Sequence, residues 1–484
     1  MIEKIVLQLE KGIVMRAILR VVISIALLGS SSVMAMWLSM NAKNDPLPPY
    51  TTLDPHTFLY TRAKNKMKDY KTDKKYNERI GFALSPFGQN ANRGRDIENR
   101  VVPLGDVLCG RWNMVGLLFG AVPNDKILSP TLVAARAALF PTIPSGTPIT
   151  DKNFIDKNEQ FGFFSIASRY RKQGLRFQIA GQLLKDFGLI VEGGVADICH
   201  TVTQFKNLTC GVQPDCTSGL GTNGNNLGND FTENNVNDFL MDQLENIAMD
   251  IGLNICNFHK ISFEDLRIKL YWRRAHELNQ GLVGKDYCWS KVLLIPFIMV
   301  GGTVATSKER DPNDVFALTF GNDDHHSVGV TAGLNFDFAD TVEIGGEVGI
   351  THFFARDFCN YRVPTSTCQQ GIFPFTTDVR IKPGYNWHFA LKMNAYHFLK
   401  CLSFYFQYVV IQHESDDICL KCHDDAFVPS VLEKKSTWKM QVANIGFNYD
   451  ISPSISLGFL WQAPLARKNA FRSTTVMFSF NAQF

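Results

Sequence analysis

Two carboxylates in the last third of the chain are spaced so that they could bind a cation or share a proton. Asp337 ends one run of alternating polar and apolar residues, and Glu343 begins the next run after a turn at 339–341. If both runs are antiparallel strands, the two side chains face each other. The alternative, which we favour, is that they are ordinary wall charges neutralised by Lys392 or Arg176.

A second chemical motif is the sequence CLKCH at 419–423, which matches the C-x-x-C-H pattern of covalent haem attachment. In that chemistry, two thiols bond the haem vinyl groups and the histidine ligates the iron. The motif occurs once, on a predicted surface loop without an apolar pocket nearby. We therefore interpret it as a loop disulfide or an incidental cysteine pair, with a metal site including His413, Asp416 or Asp417 as the alternative. We expect no cofactor and no bound metal.

The sequence NDDHH at 322–326 places two carboxylates and two imidazoles at a predicted strand edge. It resembles outer-membrane proteases of the omptin type, which use Asp/Asp and Asp/His pairs near the outer rim of a barrel. The resemblance covers these residues alone, and no second pair is identifiable. No Ser/His/Asp order, zinc-protease motif or phosphate loop is present, so we expect a protein that is not an enzyme and has no catalytic residues.

The elements that must position these residues are β-strands. Residues 326–338 alternate strictly between apolar and polar side chains, and residues 342–351 repeat the pattern after a short turn. Residues 475–484 also alternate and end on Phe484. A period of two indicates strands with one apolar and one polar face. Further strands are predicted at 79–87, 111–119, 162–170, 175–184, 188–198, 389–397, 402–410 and 455–463.

Signals at both ends agree with an exported membrane protein. Residues 15–35 contain two arginines, an apolar run and a small-x-small cleavage site, so residues 1–35 are predicted to be a signal peptide, with Met1 or Met15 as the start. Residues 36–77 form a basic periplasmic leader, and residues 78–484 form the membrane domain. No later apolar segment has the length of a membrane helix, so the chain must cross as a closed sheet.

The whole mature chain resembles bacterial outer-membrane β-barrel proteins of the porin-like class. The resemblance implies an all-β transmembrane antiparallel barrel of about 12–14 strands, with short periplasmic turns and long outer loops. The expected partners are outer-membrane lipid, small hydrophilic solutes and the barrel assembly machinery, which reads the terminal aromatic Phe484; a homo-oligomer is compatible with this class. The net charge of +3 gives no argument for nucleic acid.

The polar faces of the predicted strands indicate a function. They carry charges of both signs, which favours a hydrated lumen. We predict a porin-like channel for passive passage of small hydrophilic solutes, or a structural protein of the envelope. The alternative is a surface-exposed adhesin or interaction scaffold, and an outer-membrane enzyme is a third reading. The predicted pore-lining residues are Arg79, Arg176, Gln178, Glu192, Asp337, Glu343, Glu347, Lys392, Asn394 and Gln407.

Eleven cysteines in an exported chain predict disulfides. Their presence in the loops is similar in general character to disulfide-cross-linked major porins of intracellular bacteria. A small helical insertion is predicted at 199–288, outside or plugging the barrel, with helices at 236–251 and 266–278. The disulfide candidates are Cys199 with Cys288 at its base, Cys359 with Cys368 inside one loop, and Cys419 with Cys422.

Overall fold

A computed structural model describes residues 80–118, 120–139, 163–183, 186–208, 242–278, 292–307, 310–338, 342–399, 401–452 and 454–483. The predicted signal peptide, the basic leader, Arg79, Cys288 and Phe484 lie outside these residues. Within them the chain forms a closed antiparallel barrel of twelve strands. The predicted fold class is therefore confirmed, at the lower end of the predicted strand number.

The twelve barrel strands are numbered here in chain order. They are β1 (Ile80–Ala91), β2 (Phe163–Gln182), β3 (Phe187–Asn207), β4 (Leu266–Arg273), β5 (Val292–Val304), β6 (Ser327–Phe338), β7 (Val342–Phe353), β8 (Asn386–Leu399), β9 (Leu402–His413), β10 (Trp438–Ser452), β11 (Ile455–Lys468) and β12 (Thr474–Gln483).

The barrel closes because its first and last strands pair. β1 pairs with β12 from Gly81 opposite Gln483 to Asn90 opposite Thr474, and every other strand pairs with its neighbours in the sequence. Closure leaves no strand edge along the wall, so the backbone hydrogen bonds of the wall are satisfied inside the sheet.

The two faces of the wall differ in polarity, as the period of two predicts. On β6, Val328, Val330 and Phe336 point outward and stay 37–40% exposed, whereas Asn335 and Asp337 point inward and are buried. An outward apolar band on a closed sheet is the surface that a lipid bilayer solvates.

Strand connections divide the barrel into two ends. Short turns at 339–341, 400–401 and 453–454 lie at the end where β1 begins and β12 stops. The connection between β4 and β5 is also at this end and starts with the short strand His276–Glu277. Long connections at 92–162, 208–265, 305–326, 354–385 and 414–437 lie at the other end. In outer-membrane barrels the short-turn end is periplasmic and the long-loop end is extracellular.

The extracellular connections pack into a cap over the barrel. The helices of the described chain are α1 (Leu104–Cys109), a 3-10 helix (Val115–Leu118), α2 (Pro130–Leu139), α3 (Leu244–Asp250) and α4 (Ser430–Ser436). One small sheet joins Arg93–Arg95, Val101–Pro103 and Ala470–Phe471, and another joins Arg356–Arg362, Thr376–Lys382 and Asp417–Leu420. Two further short strands, Trp112–Asn113 and Phe258–Phe263, extend the barrel wall upward.

Apolar side chains hold this cap together. One cluster is centred on Trp112, Phe164 and Phe316, and it joins α2 and α3 to the top of β2. A second cluster lies between the sheet of Arg356–Arg362 and α4, and it includes Phe358 and Leu432. None of the helices in the described part of the chain has the length and hydropathy needed to span a membrane.

Several local predictions were wrong. Residues 111–119 form the short strand Trp112–Asn113 and the 3-10 helix, while the strands predicted at 162–170 and 175–184 are one strand, β2. The helix predicted at 266–278 is the strand β4, in which Arg267, Lys269 and Tyr271 point inward. Residues 262–265, with the acidic pair Glu264 and Asp265, also fit the sequence pattern of a helix N-cap, and this pattern favoured a helix over the period of two.

The predicted insertion at 199–288 is corrected by the same finding. It contains the barrel strand β4, and Cys199 lies inside β3 rather than at a strand end. The described helical part is α3, which overlaps the helix predicted at 236–251. The strand β5 was not predicted, because its inward residues Leu293, Ile295 and Phe297 are as apolar as its outward ones.

Candidate functional site: the barrel lumen

Many of the side chains that point into the barrel are polar, although β5 directs Leu293, Ile295 and Phe297 inward. The inward positions of other strands include charged residues that are almost completely buried, such as Lys172, Glu343 and Lys392, each at most 2% exposed. Burial of an unpaired charge is costly, so these groups are expected to be paired or hydrogen-bonded. The pairs form separate networks at different heights in the lumen.

The upper network is centred on Glu264. The guanidinium of Arg176 donates two hydrogen bonds to the Glu264 carboxylate, from Nε to Oε2 at 2.6 Å and from Nη2 to Oε1 at 2.7 Å. The Nζ atom of Lys172 lies 2.6 Å from the same Oε1. All three side chains are buried, and the Arg176 guanidinium stacks over the ring of Phe87 at 4.1 Å. One carboxylate thus neutralises two cations of β2.

A β-bulge brings Glu264 into the lumen. Phe258–Phe263 and β4 both pair with β3, and three residues separate Phe263 from Arg267, whereas only two separate their partners Val195 and Glu192. The extra residue lets Glu264 turn inward while its backbone N–H still donates to the Gly194 carbonyl. A Cβ at position 194 would lie 2.8 Å from Glu264 Oε2, so this position needs glycine.

The next residue, Asp265, fixes the extracellular connection between β5 and β6. Its Oδ1 accepts hydrogen bonds from the backbone N–H groups of Thr306 at 3.1 Å and Ser307 at 3.0 Å, and its Oδ2 accepts from Asn322 at 2.6 Å. The acidic pair that the sequence presented as a helix cap therefore stabilises the lumen and the cap above it.

Glu192 of β3 forms a second network just below. It accepts a hydrogen bond from Gln178 Nε2 at 2.7 Å and another from Lys269 Nζ at 2.6 Å. All three groups are buried, and they tie β2, β3 and β4 together across the inside of the wall.

Near the periplasmic end, the carboxylates Asp337 and Glu343 lie directly opposite each other on β6 and β7, as predicted. Glu343 accepts hydrogen bonds from Tyr396 Oη at 3.2 Å and from Asn394 Nδ2 at 3.4 Å. Lys392, the predicted neutralising cation, has its Nζ 4.0 Å from Glu347 Oε2. The other predicted neutralising group, Arg176, belongs to the upper network.

Opposite these charges, the wall carries neutral amides and hydroxyls. Asn444 Nδ2 donates to Gln407 Oε1 at 2.9 Å, and Thr475 Oγ1 donates to Gln462 Oε1 at 3.2 Å. The lumen therefore has a charged side, on β2–β4 and β6–β8, and a neutral polar side, on β9–β12.

A crevice of about 50 Å³ lies inside the wall of β5, β6 and β7. It exists because the inward residues there are small: Gly301, Thr303, Ser327, Gly329, Thr331 and Thr351. The cations Arg267 and Lys269 of β4 line one side of it, and no carboxylate of the described chain is among its lining residues. We refer to this space as the lumenal crevice.

The structure places nine of the ten predicted pore-lining residues at buried positions inside the barrel; Arg79 lies outside the described residues. Sequence reasoning missed Lys172, Glu264, Arg267 and Lys269, although Lys172 has the same parity as Arg176 on β2. The small residues of the lumenal crevice were also missed, since a glycine or threonine carries no charge pattern.

Cysteines in the described chain do not form the predicted pairs. The thiols of Cys199, Cys359, Cys419 and Cys422 are free, so Cys359 is not bonded to Cys368 and Cys419 is not bonded to Cys422. Cys359, Cys419 and Cys422 are exposed in the extracellular sheet or just after it. The proposed partner of Cys199, Cys288, lies outside the described residues.

The haem-attachment pattern at 419–423 and the alternative metal ligand His413 do not form one site. His423 is 86% exposed beside Cys422, a position without the sheltered pocket that haem ligation uses. His413 is buried elsewhere, with Nε2 2.8 Å from Asp416 Oδ1 and Nδ1 2.5 Å from Asn386 Oδ1. It is therefore a structural histidine at the top of β9.

The NDDHH segment forms a turn held by structural contacts. Asp323 Oδ1 accepts from the Arg310 N–H at 3.2 Å, Asp324 pairs with Arg356, and His325 Nδ1–H donates to the Phe354 carbonyl at 2.9 Å. Because these groups fix the turn above β6, the arrangement does not support the omptin-like reading.

The closed wall, the apolar exterior and the charged interior determine the class of membrane protein to which the chain belongs. The protein is a bacterial outer-membrane β-barrel. No protein-family model and no curated protein matches its sequence.

Solved structures with a similar barrel are outer-membrane proteins. An outer membrane channel from Pseudomonas putida F1 has a TM-score of 0.42 and 8% identity, over 84% of this chain and 96% of that chain. The toluene transporter TodX of Pseudomonas putida has a TM-score of 0.28 and 7% identity, over 93% and 98%. The translocator domain of the autotransporter NalP from Neisseria meningitidis has a TM-score of 0.28 and 7% identity, over 90% and 99%. At this similarity, they assign neither a family nor a solute.

Proposed function

We propose that this outer-membrane β-barrel is a channel for passive passage of small hydrophilic solutes. The observation that carries the proposal is the lumenal crevice, a space lined by glycine, serine and threonine inside a wall of buried charges. Barrels of eight strands are filled by their side chains, and those of 16–18 strands leave an aqueous channel. With twelve strands, the size of the inward side chains decides whether a path exists.

The polarity of the lumen favours hydrophilic over apolar solutes. Lys172, Arg176, Glu192, Glu264 and Lys269 are charged, and an apolar molecule moving past them would have to remain next to groups that prefer water. Because the crevice measures only about 50 Å³, we expect small ions and solutes to pass, with low conductance.

Two variants of neighbouring residues on β6 test the proposal. Thr331→Phe places an aromatic ring in the lumenal crevice, whereas Val330→Phe places the same ring on the lipid-facing side. In planar bilayers, we expect Thr331→Phe to lower single-channel conductance and Val330→Phe to leave it unchanged. Folding of both variants is checked by heat-modifiable migration in gels. Equal conductance of folded Thr331→Phe and wild type would refute passage through the crevice.

A surface-exposed interaction scaffold is the second candidate. It is favoured by the extracellular cap, which has apolar clusters of its own around Trp112 and Phe358 and is therefore an ordered surface. An envelope-structural role would use the same surface. The two functions are separable, since folded protein that gives no channel steps in a planar bilayer would favour the scaffold.

One partner follows from the barrel class. We propose that outer-membrane lipid covers the apolar exterior.

A further inference from the structure

A cavity of about 210 Å³ lies in the extracellular cap. Its walls come from the connections 92–162, 305–326, 354–385 and 414–437, with Leu253 and Asn469 completing them. We call it the cap cavity. Drug-sized ligands use pockets of roughly 300–1,000 Å³, so this cavity suits a smaller molecule.

Charges line the cap cavity in unequal numbers. Five cations, Arg100, Arg111, Arg310, Arg362 and Lys435, face four carboxylates, Asp96, Glu98, Asp106 and Asp314. The numbers alone give an excess of one positive charge. The contacts distribute this excess unevenly, because two of the four carboxylates, Asp96 and Glu98, are paired with the same cation, Arg100. Four cations then remain beside two carboxylates.

All four carboxylates of the cap cavity are already engaged in ion pairs or hydrogen bonds. Asp96 and Glu98 both pair with Arg100, at 2.8 and 2.6 Å, so two acids are used on one exposed arginine. Asp106 accepts hydrogen bonds from Ser165 Oγ at 2.8 Å and from the Ile166 N–H at 2.7 Å. Asp314 Oδ1 accepts from Asn254 Nδ2 at 2.7 Å.

Arg362 lies in the wall with neutral partners. Its guanidinium donates to the carbonyls of Phe373 at 2.9 Å and Ile251 at 2.6 Å and to Asn313 Oδ1 at 2.8 Å. These acceptors satisfy the N–H groups without cancelling the charge, and Asp311, which is not among the lining residues of the cavity, interacts with that charge electrostatically. Burial lowers the pKa of Arg362 to about 10, which still leaves it charged at neutral pH.

Arg111 and Lys435 meet beside Gly110. The nearest carboxylate oxygen to Arg111 Nε is Asp106 Oδ2, at 3.7 Å, too far for a hydrogen bond. Gly110 has φ +78°, and a Cβ there would lie 3.1 Å from Lys435 Nζ. The absence of a side chain at position 110 thus leaves room for the ammonium at the cavity wall.

Apart from Gln370 and Asn469, the remaining side chains of the wall are apolar or aromatic, and they include Leu253, Val315, Tyr361, Ile372, Phe373 and Leu432. An excess of cations next to aromatic and aliphatic groups matches a ligand with one anionic end and one apolar end. We propose that the cap cavity is a binding site for a small organic anion, such as an aromatic or aliphatic carboxylate. The site does not depend on passage of solutes through the lumen, so either proposal can fail without the other.

Adjacent lysines of α4 provide a matched pair of variants. Lys435 lines the cap cavity, whereas Lys434 is exposed and does not. Isothermal titration of the folded protein in detergent uses benzoate as the anionic probe and benzamide as its neutral control. We expect benzoate to bind, benzamide not to bind, and binding to weaken as salt rises. Lys435→Gln should weaken benzoate binding about tenfold and Lys434→Gln should not.

Arg111→Gln gives an independent readout, since Arg111 belongs to a different connection from Lys435 and is only partly buried. It is expected to weaken benzoate binding about as much as Lys435→Gln. The proposal is overturned if folded wild type binds benzoate no better than benzamide. It is equally overturned if Lys434→Gln and Lys435→Gln weaken binding alike, because the effect would then be a property of surface charge.

Discussion

Glu264 and Arg176 are joined by two parallel hydrogen bonds of 2.6 and 2.7 Å inside the barrel, although 88 residues separate them in the chain. The contact exists because a β-bulge turns Glu264 out of the wall and into the lumen. The contact links the residues just before β4 to β2, on the other side of β3. Glu264 also neutralises Lys172. The Glu264 carboxylate therefore affects the stability of the barrel, the shape of the lumen and the charge pattern of the lumen.

Glu264→Gln is expected to destabilise the barrel. The amide keeps the shape of the side chain, but Lys172 and Arg176 lose their common negative partner while buried. Breaking a buried ion pair from one side costs about 3–5 kcal/mol. Urea unfolding in detergent measures the change, with exposed Glu98→Gln as the control. Adding Lys172→Met to Glu264→Gln should recover part of the loss, and a loss equal in the single and double variants would argue against charge imbalance.

Asp106 gives a prediction about pH. Burial raises the pKa of its carboxyl above the ordinary 3.8, although Ile166, Ser165 and Arg111 oppose the shift. The native state therefore holds this proton more tightly than the unfolded state. The stabilising contribution is fully present below pH 3.8 and is lost as pH rises through the higher native pKa.

Asp106→Asn isolates this contribution. The stability of wild type relative to Asp106→Asn is expected to fall as the pH rises above 3.8. Urea midpoints of both proteins over this range provide the measurement. A difference that is constant with pH, or that grows as pH rises, would show that the hydrogen bonds to the charged carboxylate outweigh its burial.

How far the sequence predicts this molecule depends on the chemistry of each strand. Strands with polar inward residues, such as β6 and β7, are visible from their period of two alone. The strand β5 cannot be recognised in this way, because its inward residues Leu293, Ile295 and Phe297 are as apolar as its outward ones. The cap could not be predicted, since its clusters join residues from four connections that are distant in the chain.

The charged residues of the lumen could likewise be predicted only in part from the sequence. Asp337 and Glu343 were predicted to face each other because a short turn fixes their register. The partner of Arg176 could not be found this way, since Glu264 reaches it through a bulge that adds one residue to the strand. Bulges leave no distinct sequence pattern, and a carboxylate followed by another carboxylate before an apolar run is equally typical of a helix start.

Asp265 is expected to control the order of the extracellular connection 305–326. Asp265→Ala removes the acceptor of three backbone N–H groups, those of Thr306, Ser307 and Asn322, and leaves them without a partner. Each unsatisfied group costs about 1–3 kcal/mol if it stays buried, so the connection should open rather than remain packed. Hydrogen exchange should rise in 305–326 and remain unchanged in the wall strand β9. Unchanged protection in 305–326 would mean that other contacts hold it.

Exposed free thiols allow a direct test of the orientation of the barrel. Cys359, Cys419 and Cys422 lie at the long-loop end, and Cys401 lies in a short turn at the opposite end. In variants that keep one cysteine each, a membrane-impermeant maleimide added to intact cells should label the first three and spare Cys401. Broken cells should label all four, which controls for reactivity. Labelling of Cys401 alone in intact cells would reverse the orientation, and with it the assignment of the cap cavity to the outer surface.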